Sequence, residues 1–241
     1  MIDTGDTAWI LMSTALVMLM LPGLALFYGG LVRANNVLST IMHSFFGLAI
    51  VTVVWVVVGF SLAFGDSLGG AGLVGDPLQY IFFNGVGMEP AEGSTIPFVL
   101  FATFQMMFAA ITPALISGAF AERKRFAAFV VFTIAWSLLI YSPLAHMVWG
   151  GGILAELGAL DFAGGTVVHI ASGVSALVVA LVMGRRMRGH HVEPHDVPRT
   201  DVGAGLLWVG WFGFYGGSAR GATGLAAQAG LVSAVSAAAG W

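Results

Sequence analysis

The chain has 241 residues, of which 58% are hydrophobic and 9% charged, where a soluble domain carries about a quarter charged residues. Mean hydropathy is +0.92, the formal net charge is -3 and cysteine is absent. These values exclude a soluble globular domain, a disulfide framework, a thiolate nucleophile and a Cys-based metal site. No phosphate-binding glycine loop, zinc-protease helix or nucleic-acid motif occurs, so neither an enzyme, a cofactor nor a nucleic-acid partner is indicated.

A helix needs roughly twenty apolar residues to cross the hydrocarbon core. Seven such runs occur, at 9–30, 41–64, 98–120, 126–148, 162–183, 202–217 and 221–241. They predict an all-α polytopic membrane protein, because backbone groups in lipid must be satisfied within each segment. The first run follows Asp3 and Asp6 rather than a basic stretch, so it reads as a retained span and not a signal peptide. Pro22 lies inside it and Pro113 inside the third, where each is expected to kink its helix. The 34 glycines suit close approach of membrane helices. His43 near the start of the second span and His146 near the end of the fourth are expected to face an interface or a neighbouring helix.

The longest connection, 65–97, is rich in glycine and acid, and 78–83 reads as a short interfacial piece. The connection 184–200 is basic and contains His190, His191 and His195, a composition that a His-rich metal site would share. The seventh run is still apolar at Trp241, as expected of a truncated chain or fragment. Seven spans place Arg33, the 123–125 run and the basic residues of 185–199 on one side, eight of the nine Lys and Arg. That side is therefore expected to be cytoplasmic, with the N-terminus outside the inner (plasma) membrane. Arg220 is the one basic residue on the acidic, outer side.

Several side chains stand out against this apolar background. His169 lies two turns into the fifth span, beside Val167, Val168 and Ile170, and is expected to be buried. An ionisable group there costs a few kcal/mol or more, so it is a candidate functional residue; a core histidine bonded to a neighbouring helix is the alternative. Asp161 opens that span. It reads as a helix N-cap, and a capped carboxylate near an outer vestibule also biases it towards cations. Trp149 is either a member of the interfacial aromatic belt or one wall of a cation–π site. Phe104 and Phe108 share one helix face, as lipid or core contacts or as part of a site. In the sixth span Gly210, Gly213, Gly216 and Gly217 alternate with aromatic residues, and Ser218 offers a hydroxyl at the outer mouth.

Five blocks in order, PGLALFYGGLVRANNVLS (22–39), FQMMFAAITPALISGAFAER (104–123), PLAHMVWGGG (143–152), LDFAGGTVVHI (160–170) and GWFGFYGGSA (210–219), resemble the ammonium transporter family, which includes the Rhesus glycoproteins. The bacterial branch is the nearer match. The resemblance implies an eleven-helix fold built from two inverted five-helix repeats, a familiar transporter plan. On that plan 1–241 is a truncated transporter domain, with the first repeat at about 7–184 and the start of the second at about 201–241. The resemblance also implies a homotrimer in the lipid bilayer, ammonium or ammonia as substrate, and a PII-type nitrogen regulatory protein as cytoplasmic partner.

Carried over, Trp149, Phe108 and Ser218 form an outer ammonium site with Phe104 near the same mouth. Phe108 and Phe214 form a stacked gate, His169 is the first of two pore histidines, and Asp161 is a structural acid beneath the site. Tyr215 stands where bacterial members often carry a small polar residue. The second pore histidine would belong to a tenth helix, beyond residue 241. The family also contains ammonium sensors fused to signalling domains, so a sensor is the alternative to a transporter, and a non-functional fragment is a third reading.

Overall fold

The computed structural model describes residues 1–186 and 193–240. Among the described residues the expected spans appear as seven helices. α1 is Thr4–Leu31, α2 Ala34–Phe64 and α3 Phe98–Phe120. α4 runs as Phe126–Trp136, a wide π-helical turn at Ser137–Tyr141, and Ser142–Trp149. α5 is Gly165–Met183, α6 Val197–Ser218 and α7 Gly224–Gly240. The described residues contain no strand, only two isolated bridges in the 65–97 connection. The first five helices are long and apolar enough to cross a membrane. Their outward faces expose Val131, Leu139, Leu177, Leu181 and Val182, surface that suits hydrocarbon and not water. The chain is a multi-pass membrane protein.

Helix starts depart from the sequence expectation by several residues: α2 begins at Ala34 rather than 41, and carboxylates on backbone N–H groups set the starts of α1, α6 and α7. α1 starts at Thr4 because the Asp3 carboxylate accepts the Asp6 N–H at 2.8 Å. α6 starts at Val197 because Asp196 accepts the Arg199 N–H at 3.0 Å, with a proline in the first turn. Polar first turns read as loop by hydropathy, yet such caps are what helix N-termini need. α7 starts late, at Gly224, because 219–223 form a turn held by the Asp6 carboxylate on the Ala222 N–H at 2.7 Å. The chain remains helical through Pro22 and Pro113.

The core lies where α1, α2, α3, α4 and α6 meet, around Trp55, Phe60, Phe108, Phe129, Tyr141 and Phe214. α6 reaches α1 across almost two hundred residues by small-residue packing. A Cβ on Gly203 would stand 2.3 Å from the Phe27 backbone nitrogen, and one on Gly213 would stand 2.6 Å from the Ser13 carbonyl oxygen. Only glycine permits that approach. His43 is buried against Phe129, with ring centroids 4.5 Å apart, so it faces α4. His146 pins the 65–97 connection, its Nε2 lying 2.8 Å from the Ser67 hydroxyl and its Nδ1 3.3 Å from the Ala63 carbonyl. Within that connection, Ile81–Phe83 form one tight turn, and Tyr80 and Phe83 pack on Phe60.

Contacts sort the connections into two ends. At one, Asp6, Thr95 and Ala222 meet. At the other, Glu122 gathers three elements: its carboxylate accepts the Arg33 N–H at 2.9 Å and the Asn36 amide at 3.0 Å, and it pairs with Arg186 at 2.9 Å. The second end also holds the Arg123 guanidinium on the Gly184 carbonyl, and His195 Nδ1 2.9 Å from the Val32 carbonyl. His190 and His191 lie outside the described residues.

Burial pushes the Glu122 carboxyl up, but the Arg33 N–H, the Asn36 amide and the Arg33 and Arg186 charges overcome it and hold it below the usual range. A depressed native pKa contributes stability above the unfolded value of about 4.3, and that contribution is lost as pH falls through the native value. Glu122→Gln is therefore expected to destabilise the protein by about 1–3 kcal/mol at pH 7. The gap to wild type should close as pH drops below about 4. Thermal unfolding in detergent at a series of pH values measures both; a gap constant down to pH 3 would contradict it.

Candidate functional site

Four segments build the site. α3 presents Phe104 and Phe108 one turn apart, with ring centroids at 5.0 Å. The end of α4 presents Trp149, the connection before α5 presents Asp161, and the end of α6 presents Phe214 and Ser218. Around them lies a cavity of about 290 Å3, lined among others by Phe104, Gln105, Phe108, Trp149, Asp161 and Ser218. Residues more than a hundred positions apart in sequence therefore share one space.

The aromatic rings form a file. Trp149 meets Phe108 edge-on at 6.0 Å. Phe108 stacks on Phe214 at 4.3 Å with planes 25° apart. Phe214 in turn lies 5.7 Å from the His169 ring. Phe108 lines the cavity and Phe214 lies behind it, each 1% exposed, with His169 next in the file beyond Phe214. The stack of Phe108 on Phe214 is an offset-type contact of the kind aromatic pairs favour.

Asp161 organises the wall. Its Oδ1 accepts the N–H groups of Gly164 and Gly165, and its Oδ2 those of Thr166 and Val167, at 2.8 and 3.0 Å. These are orphan donors at a helix start, where the backbone also carries positive partial charge. One carboxylate thus satisfies the opening turn of α5. That turn is π-helical over Gly165–Ile170, and the His169 N–H bonds to the Gly164 carbonyl at 2.9 Å. Gly164 takes φ of 92°, and a Cβ there would stand 2.6 Å from the Val168 side chain, so glycine is needed for the turn. The backbone carbonyl of Asp161 accepts the Trp149 indole N–H at 2.8 Å and fixes that ring at the cavity.

Two acceptors face the cavity. Ser218 donates its hydroxyl proton to the Phe214 carbonyl at 2.7 Å, which leaves the oxygen lone pairs free. The Gln105 side-chain oxygen is buried and has no partner among the described residues. The cavity thus offers aromatic faces and lone pairs, which suit a small cation carrying N–H donors.

The sequence expectation of a buried His169 is corrected. Its side chain is exposed, and it lies beside Phe214 on a flank of α5 that no described helix covers. Hydrophobic neighbours in sequence do not bury a side chain; a helix packed on its face does. Tyr215 lies 5.5 Å from Phe214 and lines a separate groove with Phe162 and Trp211. The sequence reading passes over Gln105, Phe101 and Phe64 as cavity residues. Gln105 carried a usable signal, an amide within an apolar span; Phe101 and Phe64 carried none among 18 phenylalanines.

Comparison with known proteins adds three findings. A family model described as Ammonium Transporter Family matches residues 8–241. An ammonium transporter of Bacillus subtilis is 52% identical over 98% of this chain and 58% of its own length. A putative ammonium transporter of Methanothermobacter thermautotrophicus is 51% identical over 100% of this chain and 58% of its own length. Among solved structures, Saccharomyces cerevisiae Mep2 superposes with a TM-score of 0.84 at 39% identity, covering 92% of this chain and 50% of that one. A structure titled Sensor Amt Protein gives 0.85 at 31% identity, covering 92% and 56%. The chain thus spans a little over half the length of the relatives it matches.

Proposed function

The chain belongs to the ammonium transporter family, and from that premise we propose that the whole protein moves ammonium or ammonia across a membrane, with this chain supplying the recruitment cavity and the first part of the path. The file Trp149, Phe108, Phe214, His169 carries the reading. Ammonium is held at the cavity by the Trp149 and Phe108 faces and by the lone pairs of Ser218 and Gln105, with Phe104 shaping the mouth. Desolvated cation–π contacts return about 2 kcal/mol or more, whereas an unpaired ion in a low-dielectric path costs tens of kcal/mol. The contacts recruit the ion and do not carry it through. The held ion gives its proton to water at the cavity mouth, neutral ammonia passes the Phe108–Phe214 gate, and the His169 imidazole then offers it a hydrogen-bond partner. Asp161 acts through the α5 cap and not as a direct ligand, because both of its oxygens serve backbone N–H groups.

In this reading the exposed flank of α5 and the groove by Tyr215 receive the rest of an eleven-helix inverted-repeat fold. Three copies assemble in the plasma membrane with the N-terminus outside, and a PII-type protein docks at the cytoplasmic face of the whole protein. The basic residues gathered around Glu122 and Arg186 support that orientation. A sensor is the second reading, favoured by the likeness to the Sensor Amt Protein. The transporter reading ranks first because the relatives at 52% and 51% identity are named ammonium transporters.

The test is methylammonium uptake by the whole protein in a cell lacking its own ammonium transporters. Uptake should saturate. Trp149→Leu should raise the half-saturating concentration roughly tenfold or more, the loss of a desolvated cation–π wall, with a smaller effect on maximal rate. No uptake by the whole protein, despite its presence in the membrane, would rule out the transporter reading and leave the sensor.

A further inference from the structure

Among the described residues Arg220 is the one Lys or Arg at the end of the bundle that holds the cavity. It immediately follows the last turn of α6, and its backbone N–H bonds to the Gly217 carbonyl at 2.8 Å. Its φ is 58°, the left-handed conformation in which helices commonly end on glycine. An L side chain adopts it only at a cost. Glycine occupies the next position, 221, where a Cβ would stand 2.9 Å from the Asp6 carboxylate. The turn therefore places an arginine where the backbone favours glycine.

Arg220 lines two cavities. It lines the 290 Å3 space with Trp149, Phe108 and Ser218, and also an adjoining space of about 450 Å3 with Asp6 and Glu92. Phe101 and Ala219 are shared by both. Two of the three carboxylates that line these spaces are engaged by hydrogen bonds, and Glu92 lines only the adjoining space, not the aromatic cavity. The Asp161 carboxylate is engaged by four backbone N–H groups, and the Asp6 carboxylate accepts from Thr95 and Ala222. Arg220 is exposed at the rim and carries a guanidinium cation.

We propose that Arg220 sets the affinity of the aromatic cavity for ammonium cations, as a fixed like charge at the rim that lowers cation occupancy. This rests on the recruitment reading above. A unit charge sharing a small, partly solvated cavity with a monovalent cation changes its binding by roughly threefold to tenfold. Because the rim is open to solvent, salt should screen the effect. Arg220 touches no reacting atom in this scheme; it tunes the affinity of the site that Trp149, Phe108 and Ser218 form. Its consequence is a protein matched to higher ammonium concentrations than the aromatic cavity alone would require.

The decisive measurement is methylammonium binding by the purified whole protein, read as ligand-dependent thermal stabilisation. It is made at low ionic strength and again in about 1 M sodium chloride, where the screening length is about 3 Å. Arg220→Gln is expected to tighten binding roughly threefold to tenfold at low salt, and Arg220→Lys to leave it near wild type. The advantage of the Gln form should shrink towards none at high salt. If Arg220→Gln fails to fold, Arg220→Gly, which suits the left-handed backbone, takes its place with the same expectation. Binding by the neutral variant no tighter than wild type at low salt overturns the proposal, as does tightening that is equal in the Lys form or unchanged by salt. Uptake assayed in parallel separates the two ideas. Normal uptake with unaltered binding sinks this inference alone. A tightened, salt-sensitive site in a protein that takes up nothing sinks only the transport reading. No binding by any form sinks both.

Discussion

His169→Ala in the whole protein is expected to cut maximal methylammonium uptake by roughly tenfold to a hundredfold while leaving the half-saturating concentration within about a factor of three. His169 follows Phe214 in the ring file and does not line the cavity, so in the proposed scheme it does not touch the recruited cation. On the proposed path its loss would remove a hydrogen-bond partner, and a polar molecule left unpaired there costs about 1–3 kcal/mol. The change belongs to passage and not to recruitment. Trp149→Leu should do the opposite and weaken apparent affinity first. Initial uptake rates over a range of methylammonium concentrations separate the two effects. Equal maximal rates for wild type and His169→Ala would remove the histidine from the path.

Asp161→Ala is expected to destabilise the protein by about 3 kcal/mol or more and to abolish uptake. Single N-caps are worth about 0.5–2 kcal/mol, but Asp161 satisfies four N–H groups at the start of α5. Each buried donor left unpaired costs about 1–3 kcal/mol. Water can reach the exposed Gly165, so the total falls below the sum. Asp161→Asn keeps one acceptor oxygen and should lie between. Hydrogen exchange at 164–167 gives the local readout: those amides should lose protection in Asp161→Ala while amides of α1 and α6 keep theirs. Unchanged protection there would mean that the cap does not hold the turn. Because His169 sits on this turn, uptake should fall in step with the loss of protection.

What the residues reveal by themselves is set by local sums. Twenty apolar residues in a row are a membrane-length helix wherever they occur, and seven runs became seven helices. Acid-led starts were less legible, because hydropathy scores Asp3 and Asp196 as loop while hydrogen bonding makes them caps. The split of basic and acidic connections was visible in the sequence, and the Glu122 cluster and the Asp6–Thr95–Ala222 contacts keep them at separate ends. The ordered blocks carried the family resemblance without any coordinates.

Tertiary structure alone decided the rest. Phe108 and Phe214 are more than a hundred positions apart, and nothing in periodicity pairs them; α6 packing on α1 through Gly203 and Gly213 brings them to 4.3 Å. The π-helical opening of α5 has no composition signature, since it follows from where one carboxylate meets four backbone donors. His169 looked buried from its apolar neighbours and is exposed, because burial depends on which helix covers a face. Arg220 read only as an exception to a charge count until the fold set it at the rim of two cavities. Sequence patterns determine which segments are helices and which residues are costly in lipid; proximity between distant side chains is a property of packing, and the site is made of such proximities.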